Sequence, residues 1–190
     1  MVMECLHMKK ILGLLVIIFC LFFSVNSAYS FDMEKLQAVS EIGTLSNSQK
    51  YILALDKCNS ALEKYPFDAE LYYWRATINV HLGEGEQALR DMDMAIDLNP
   101  KDSNVYVMRG IIKSDLGDND SALEDFEQAL RLNSKNSSAY SMRACVKIIK
   151  GELKSANEDL EMANKLLAEE EKESLEKAKN KINEDVNNGE

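Results

Sequence analysis

Six sets of residues recur 34 positions apart through the middle of this 190-residue chain. They are Gly83, Gly117 and Gly151; Ala88, Ala122 and Ala156; Ala95, Ala129 and Ala163; Ala76, Gly110 and Ala144; Tyr72, Tyr106 and Tyr140; and Leu98, Leu132 and Leu166. The two prolines, Pro66 and Pro100, keep the same spacing. A period of this length points to stacked supersecondary units, each too small to bury its apolar face without neighbours.

Each unit reads as two helices. In the second, Ser103 opens helix A, which runs to about Leu116. Gly117 closes it, because glycine adopts the left-handed conformation after a helix at little cost. Helix B then runs from about Ser121 to Leu132, and Asn133-Ser134 breaks the chain before the next cap near Asn136-Ser137. Apolar residues recur three and four apart on both helices, as in Tyr106, Gly110 and Ile111, and strand-like alternation is absent. The small residues let helix axes approach, while Met92, Phe126 and Leu160 fill the space between them.

The spacing of an aromatic, a small residue, a turn Gly, two Ala and a Pro over 34 residues resembles the tetratricopeptide repeat. Full units fall at 69–102, 103–136 and 137–170. The resemblance implies an all-α fold, a right-handed superhelical solenoid of antiparallel helix pairs. Residues 31–68 read as a degenerate N-terminal repeat in which Ala54, Ala61 and Pro66 keep register and Gly43 interrupts helix A. Residues 171–190 read as a capping helix, carrying Leu175, Ala178 and Ile182 over the open end, and a frayed tail. Helix A lacks the family's usual aromatic at its eleventh position, where Asn79, Lys113 and Lys147 stand. Asn157 and Asn164 replace apolar residues on the third helix B, which predicts looser packing there.

One departure is systematic. The seventh position, usually apolar, holds Arg75, Arg109 and Arg143, and sixteen residues later stand Asp91, Asp125 and Asp159. This spacing predicts an ion pair from helix A to helix B in every unit. An exposed pair contributes about 0–1 kcal/mol.

Catalytic chemistry is hard to find. His81 is the one histidine beyond the N-terminal segment, and Cys-x-x-Cys and His-Glu-x-x-His motifs are absent. The run Gly83 to Ala88 spells G-x-G-x-x-A, yet it follows a helix and lacks the strand a dinucleotide site requires. Asp115, Asp118 and Asp120 read as an acidic turn, because the glycine and terminal glutamate of a calcium loop are out of register. The expectation is a non-enzymatic chain with no metal and no cofactor.

The resemblance implies that the A helices line a concave groove for a peptide. Register places Glu70, Tyr73, Thr77, Val80 and His81 there from the first unit. The second offers Asn104, Val107, Ile111, Ser114 and Asp115, and the third Ser138, Ser141, Cys145, Ile148 and Ile149. Tyr73, Val107 and Ile111 are the expected anchors, with Trp74 adjacent. No Lys or Arg appears in this set, which argues against family members that clamp the C-terminal carboxylate of chaperones. The expected ligand is a protein or peptide segment with an apolar helical face.

The net charge of −10 argues against nucleic acid, which demands clustered Lys and Arg. Residues 1–30 read as a secretory signal: Lys9 and Lys10, the apolar run Ile11 to Phe23, then small residues before Phe31. An uncleaved inner-membrane anchor over residues 11–23 is the alternative, and Met8 competes with Met1 as the start. The chain therefore reads as a periplasmic or secreted protein-binding scaffold of a bacterial cell-envelope complex. Two other readings stay open: a homo-oligomer joined through open solenoid ends, and an accessory subunit of an enzyme complex.

Overall fold

The computed structural model describes residues 33–188, with side chains through residue 182, so the signal or anchor segment lies outside the described residues. The described residues form helix pairs with no β-strand among them. The fold is an all-α helix-pair solenoid. It divides into two units, one ending at Pro66 and the other beginning at Phe67.

In the first unit, α1 (33–47) pairs with α2 (Tyr51–Lys64). Ile42, Ala54, Cys58 and Ala61 are buried. Lys57 Nζ reaches Glu41 Oε2 at 2.9 Å, and Lys64 pairs with Glu34. Gly43 does not interrupt α1 as expected. Its propensity deficit of about 1 kcal/mol is small beside the burial of its neighbour Ile42.

The turn between these helices holds the one non-glycine residue with positive φ among those described, Gln49 at 58°. Gln49 stands in the register of Gly83, Gly117 and Gly151, whose φ values are 81°, 89° and 80°. The repeat forces its turn geometry onto a residue that carries a Cβ. Replacing Gln49 by Gly removes that steric cost and is expected to stabilise the chain by about 0.5–1 kcal/mol. Urea unfolding of Gln49→Gly checks this, and an unchanged or lower midpoint contradicts it.

The second unit contains α3 (Ala69–His81), α4 (Gly85–Leu98), α5 (Ser103–Asp115), α6 (Asn119–Leu132), α7 (Ser137–Ile149) and α8 (Leu153–Asn188). α3 packs on α4, α5 on α6 and α7 on α8, and each pair packs on the next. The A helices start at side-chain caps in one register. Asp68 accepts from the Glu70 and Leu71 amides, Asp102 from Asn104, and Asn136 from Ala139. Each cap satisfies amides that the first helical turn leaves without partners. The A-to-B turns close as Schellman motifs: the Glu84, Asp118 and Glu152 amides reach back to the Asn79, Lys113 and Lys147 carbonyls at 2.8, 2.9 and 2.8 Å.

Ala76, Ala88, Ala95, Ala122, Ala129, Ala144, Ala156 and Ala163 are buried, and Met92 and Phe126 fill the space between axes. Gly110 lies beneath the Phe126 ring, where an added Cβ would sit 2.7 Å from Cε1. Asn136 Nδ2 donates to Ser103 Oγ and Asn104 Oδ1, both at 3.1 Å, fastening the start of one A helix to the previous one.

The C-terminal end differs from expectation. α8 runs unbroken from Leu153 to Asn188, so residues 171–188 are not a separate capping helix. Leu175 and Ile182 are exposed, at 56% and 61%, and cover nothing. The reason is local. Where earlier units break at Asn99-Pro100-Lys101-Asp102 and Asn133-Ser134-Lys135-Asn136, the third has Leu167-Ala168-Glu169-Glu170, all good helix formers.

α8 itself departs from the earlier B helices. Leu89 and Ile96, then Leu123 and Leu130, pack against apolar clusters that include residues of the following helix. One repeat later the same positions are Asn157 and Asn164, both exposed. The asparagines make these two positions of α8 hydrophilic, while Leu153 and Leu167 on the same helix are exposed.

Candidate functional site

The A and B helices of the second unit are joined by three copies of one polar module. Arg75 Nη2, Arg109 Nη2 and Arg143 Nη2 lie 2.6, 2.7 and 2.5 Å from Oδ1 of Asp91, Asp125 and Asp159. Each guanidinium also donates from Nε to Oδ2 of the same carboxylate, at 2.9, 2.9 and 2.8 Å. These are bidentate forks, the strong geometry for this pair. Each guanidinium also lies over a tyrosine of its own helix, 5.4 Å from the Tyr72 ring, 5.6 Å from Tyr106 and 5.5 Å from Tyr140.

The eleventh-position residues complete the module. Lys113 and Lys147 place Nζ 2.8 Å from Oδ2 of Asp125 and Asp159, and Asn79 Nδ2 donates to Asp91 Oδ2 at 3.2 Å. The ion pair expected in every unit is formed, and its aspartates are 1%, 4% and 5% exposed, so these are not surface pairs. Arg109 gains a further partner on α4, Asp93 Oδ1 at 2.7 Å, which ties neighbouring repeats.

Burial acts to raise the Asp159 pKa, but the Arg143 and Lys147 hydrogen bonds outweigh it and hold the carboxyl below its ordinary value of 3.8. A depressed folded-state pKa means the contribution is complete above the unfolded value and is lost as pH falls through the folded one. Stability is therefore expected to drop below about pH 4. Comparing urea midpoints near pH 5 and pH 3 checks it. Asp159→Asn should lower the midpoint at pH 5 and flatten this step, and an unchanged step contradicts the assignment.

With their cations turned toward the B helices, the A helices present a different face to the outside. α3, α5 and α7 line an open concavity of about 630 Å³. Glu70 and Tyr73 come from α3, Asn104, Val107 and Ile111 from α5, and Ser138 from α7. The expected anchors thus meet in one place. Val107 is only 6% exposed and belongs to the floor, so it does not project as an anchor. Tyr73 and Ile111 are half-buried and reachable. Burial holds the Tyr73 phenol above its ordinary pKa, and the Asp102 carboxylate adds to the effect.

Other expected groove residues lie outside this concavity. Thr77, Val80, His81, Ser114, Asp115, Ser141, Cys145, Ile148 and Ile149 do not line it. Thr77 Oγ1 and Ser141 Oγ donate to the carbonyls of Tyr73 and Ser137 on their own helices. Val80 packs against the core, while Cys145, Ile148 and Ile149 are exposed near the C-terminal end of α7. Trp74 is half-buried and does not line the concavity.

The concavity has lining residues that periodicity did not single out: Ala69, Asn99, Asp102, Val105, Met108 and Met142. Met108 and Met142 occupy the register position of Trp74, which is the signal that could have found them. No group of His, Cys, Asp or Glu among the described residues could hold a metal ion. The Gly83–Ala88 run forms the α3–α4 turn and the start of α4, and Asp118 caps α6 by accepting from the Ser121 amide at 3.2 Å.

Two family models, both described as tetratricopeptide repeat, match residues 47–103 and 103–136. No curated protein sequence matches the chain. Among solved structures, MamA is similar over 73% of this chain and 81% of its own, at 20% identity and a TM-score of 0.65. A thermophilic tetratricopeptide-repeat protein of Thermus thermophilus is similar over 70% of this chain and 74% of its own, at 23% identity and a TM-score of 0.65. The first such domain of Spaghetti, solved bound to the HSP90 peptide SRMEEVD, is similar over 66% and 92%, at 23% identity and a TM-score of 0.54. At these identities the likeness shows a shared fold.

Proposed function

We propose that this tetratricopeptide-repeat protein is an exported, non-enzymatic adaptor that holds a segment of another protein against α3, α5 and α7. The observation that carries this reading is the open concavity of about 630 Å³, floored by Val107, Met108, Ile111 and Met142 and rimmed by polar groups. Its size suits side chains of a bound peptide, and apolar centres ringed by polar groups dominate such contacts. The Spaghetti domain, which carries an HSP90 peptide, lends the fold-level precedent.

Export, and a place in a cell-envelope complex, rest on the Lys9-Lys10, apolar and small-residue order of the first thirty residues. No helix among the described residues is long and apolar enough to cross a membrane. Mass measurement of the processed N-terminus tests cleavage before Phe31.

Ile111→Asp places a carboxylate on the groove floor and is expected to abolish partner capture while the helical circular-dichroism spectrum persists. Parallel affinity capture with the natural chain and this variant checks it. Undiminished capture by the variant overturns the groove assignment.

A second reading has its own support. In the first unit Met33, Leu36, Ile52 and Leu53 are exposed, at 63%, 62%, 69% and 56%. Exposed apolar side chains of this kind, Met33 and Leu36 toward one end of the α1–α2 pair and Ile52 and Leu53 toward the other, suit contact with a second copy of the chain. Concentration-dependent sedimentation that Leu36→Glu and Ile52→Glu abolish would favour self-association.

A further inference from the structure

Resting on the groove reading, we infer that its occupant is a basic, amphipathic protein segment, which sets a Lys or Arg against Glu70 and Asp102 and lays apolar side chains over Met108, Ile111 and Met142. The case begins with where the cations go. α3, α5 and α7 together carry five Lys and Arg: Arg75, Arg109, Lys113, Arg143 and Lys147. All five pair with Asp91, Asp125 or Asp159 on the B helices. They are bound on the far side of their own helices, and none lines the groove. No Lys or Arg is among the lining residues, and the nearest in sequence apart from these five is Lys101, in the loop beside Asp102.

The charges that do line it are negative. Glu70 is exposed at the start of α3, and Asp102 caps α5 through one oxygen that accepts from the Asn104 amide at 2.9 Å. Both stand at one end of the concavity, so a ligand cation is drawn to that end. The remaining floor is aliphatic and thioether, and methionine adapts to varied apolar side chains. The net charge of −10 adds long-range attraction for a basic partner.

The experiment uses the full chain and two labelled peptides, a helical Leu-Leu-Lys-Lys repeat and the acidic SRMEEVD, read by fluorescence anisotropy. The basic peptide is expected to bind and the acidic one not. Glu70→Gln with Asp102→Asn should weaken the basic peptide by about tenfold or more, the scale of one lost charge-assisted bond. Asparagine remains a good cap, so α5 keeps its start. A matched pair on the B helices, Glu86→Gln with Glu124→Gln, removes the same charge from exposed positions and should change binding less than about twofold. Equal weakening by both pairs overturns the inference, since the attraction is then diffuse. Binding of SRMEEVD that Ile111→Asp abolishes also overturns it, but leaves the groove reading standing. If Ile111→Asp affects neither peptide, the groove reading falls and this inference with it.

Discussion

Asp125→Ala is expected to destabilise the 67–190 unit by about 3–5 kcal/mol, a large part of the total for a domain of ordinary stability. The carboxylate is 4% exposed and accepts from Arg109 Nε and Nη2 and from Lys113 Nζ, at 2.9, 2.7 and 2.8 Å. Alanine removes all three bonds at once. Arg109 keeps Asp93 on α4, but Lys113, which makes no second ion pair among the described residues, then faces a half-buried site without a carboxylate. The cost is that of the three lost bonds and of the Lys113 charge left without its partner. Replacing Arg109, Lys113 and Asp125 together by apolar residues of similar length should cost much less. A double-mutant cycle on Arg109 and Asp125 isolates the pair term, and urea unfolding supplies each corner. A loss below about 1 kcal/mol for Asp125→Ala would reduce the module to the worth of an exposed pair.

That module also shows how far a repeat can be read from its residues. Arg and Asp sixteen apart were legible because the spacing recurs three times and joins opposite charges. The third member was not. Asn79, Lys113 and Lys147 registered only as missing aromatics, although each stands twelve residues before the same aspartate. A family pattern marks such positions as losses. The charge they bring becomes visible as a gain only when the two helices are placed side by side.

The groove was half legible for a related reason. Helical periodicity assigns a residue to a face but not to a depth. Tyr73, Val107 and Ile111 share a face as expected, yet Val107 lies at the bottom of it. Met108 and Met142 lie one position on from the expected stripe, and their length brings them to the same surface. At the C-terminal end repeat register misled where composition would not have, and at the N-terminal end a single glycine misled where register would not have. Leu167-Ala168-Glu169-Glu170 continues a helix whatever the period demands, and Gly43 is tolerated inside one. Asn157 and Asn164, read as weak packing, are exposed on α8 at the positions where earlier B helices pack on the next repeat.

The small-residue column makes the other large prediction. Phe126 is fully buried, and Phe126→Ala should cost about 3–5 kcal/mol through lost contacts and the cavity left behind. The companion change runs the other way. In Gly110→Ala the new Cβ would lie 2.7 Å from Phe126 Cε1 and 3.0 Å from Cζ, and a fully buried ring has little room to yield. Overpacking costs about 1–3 kcal/mol, while alanine regains about 1 kcal/mol of helix propensity, so a net loss of about 1 kcal/mol is expected. The neighbouring repeats show how the two positions trade volume: alanine at 76 goes with methionine at 92, and alanine at 144 with leucine at 160. Gly110→Ala combined with Phe126→Leu reproduces the third repeat's pairing. The double variant should therefore be more stable than the two separate losses predict when added, by about 1 kcal/mol or more. Thermal unfolding of the four chains checks it, and strict additivity would mean that the glycine does not answer to the ring above it.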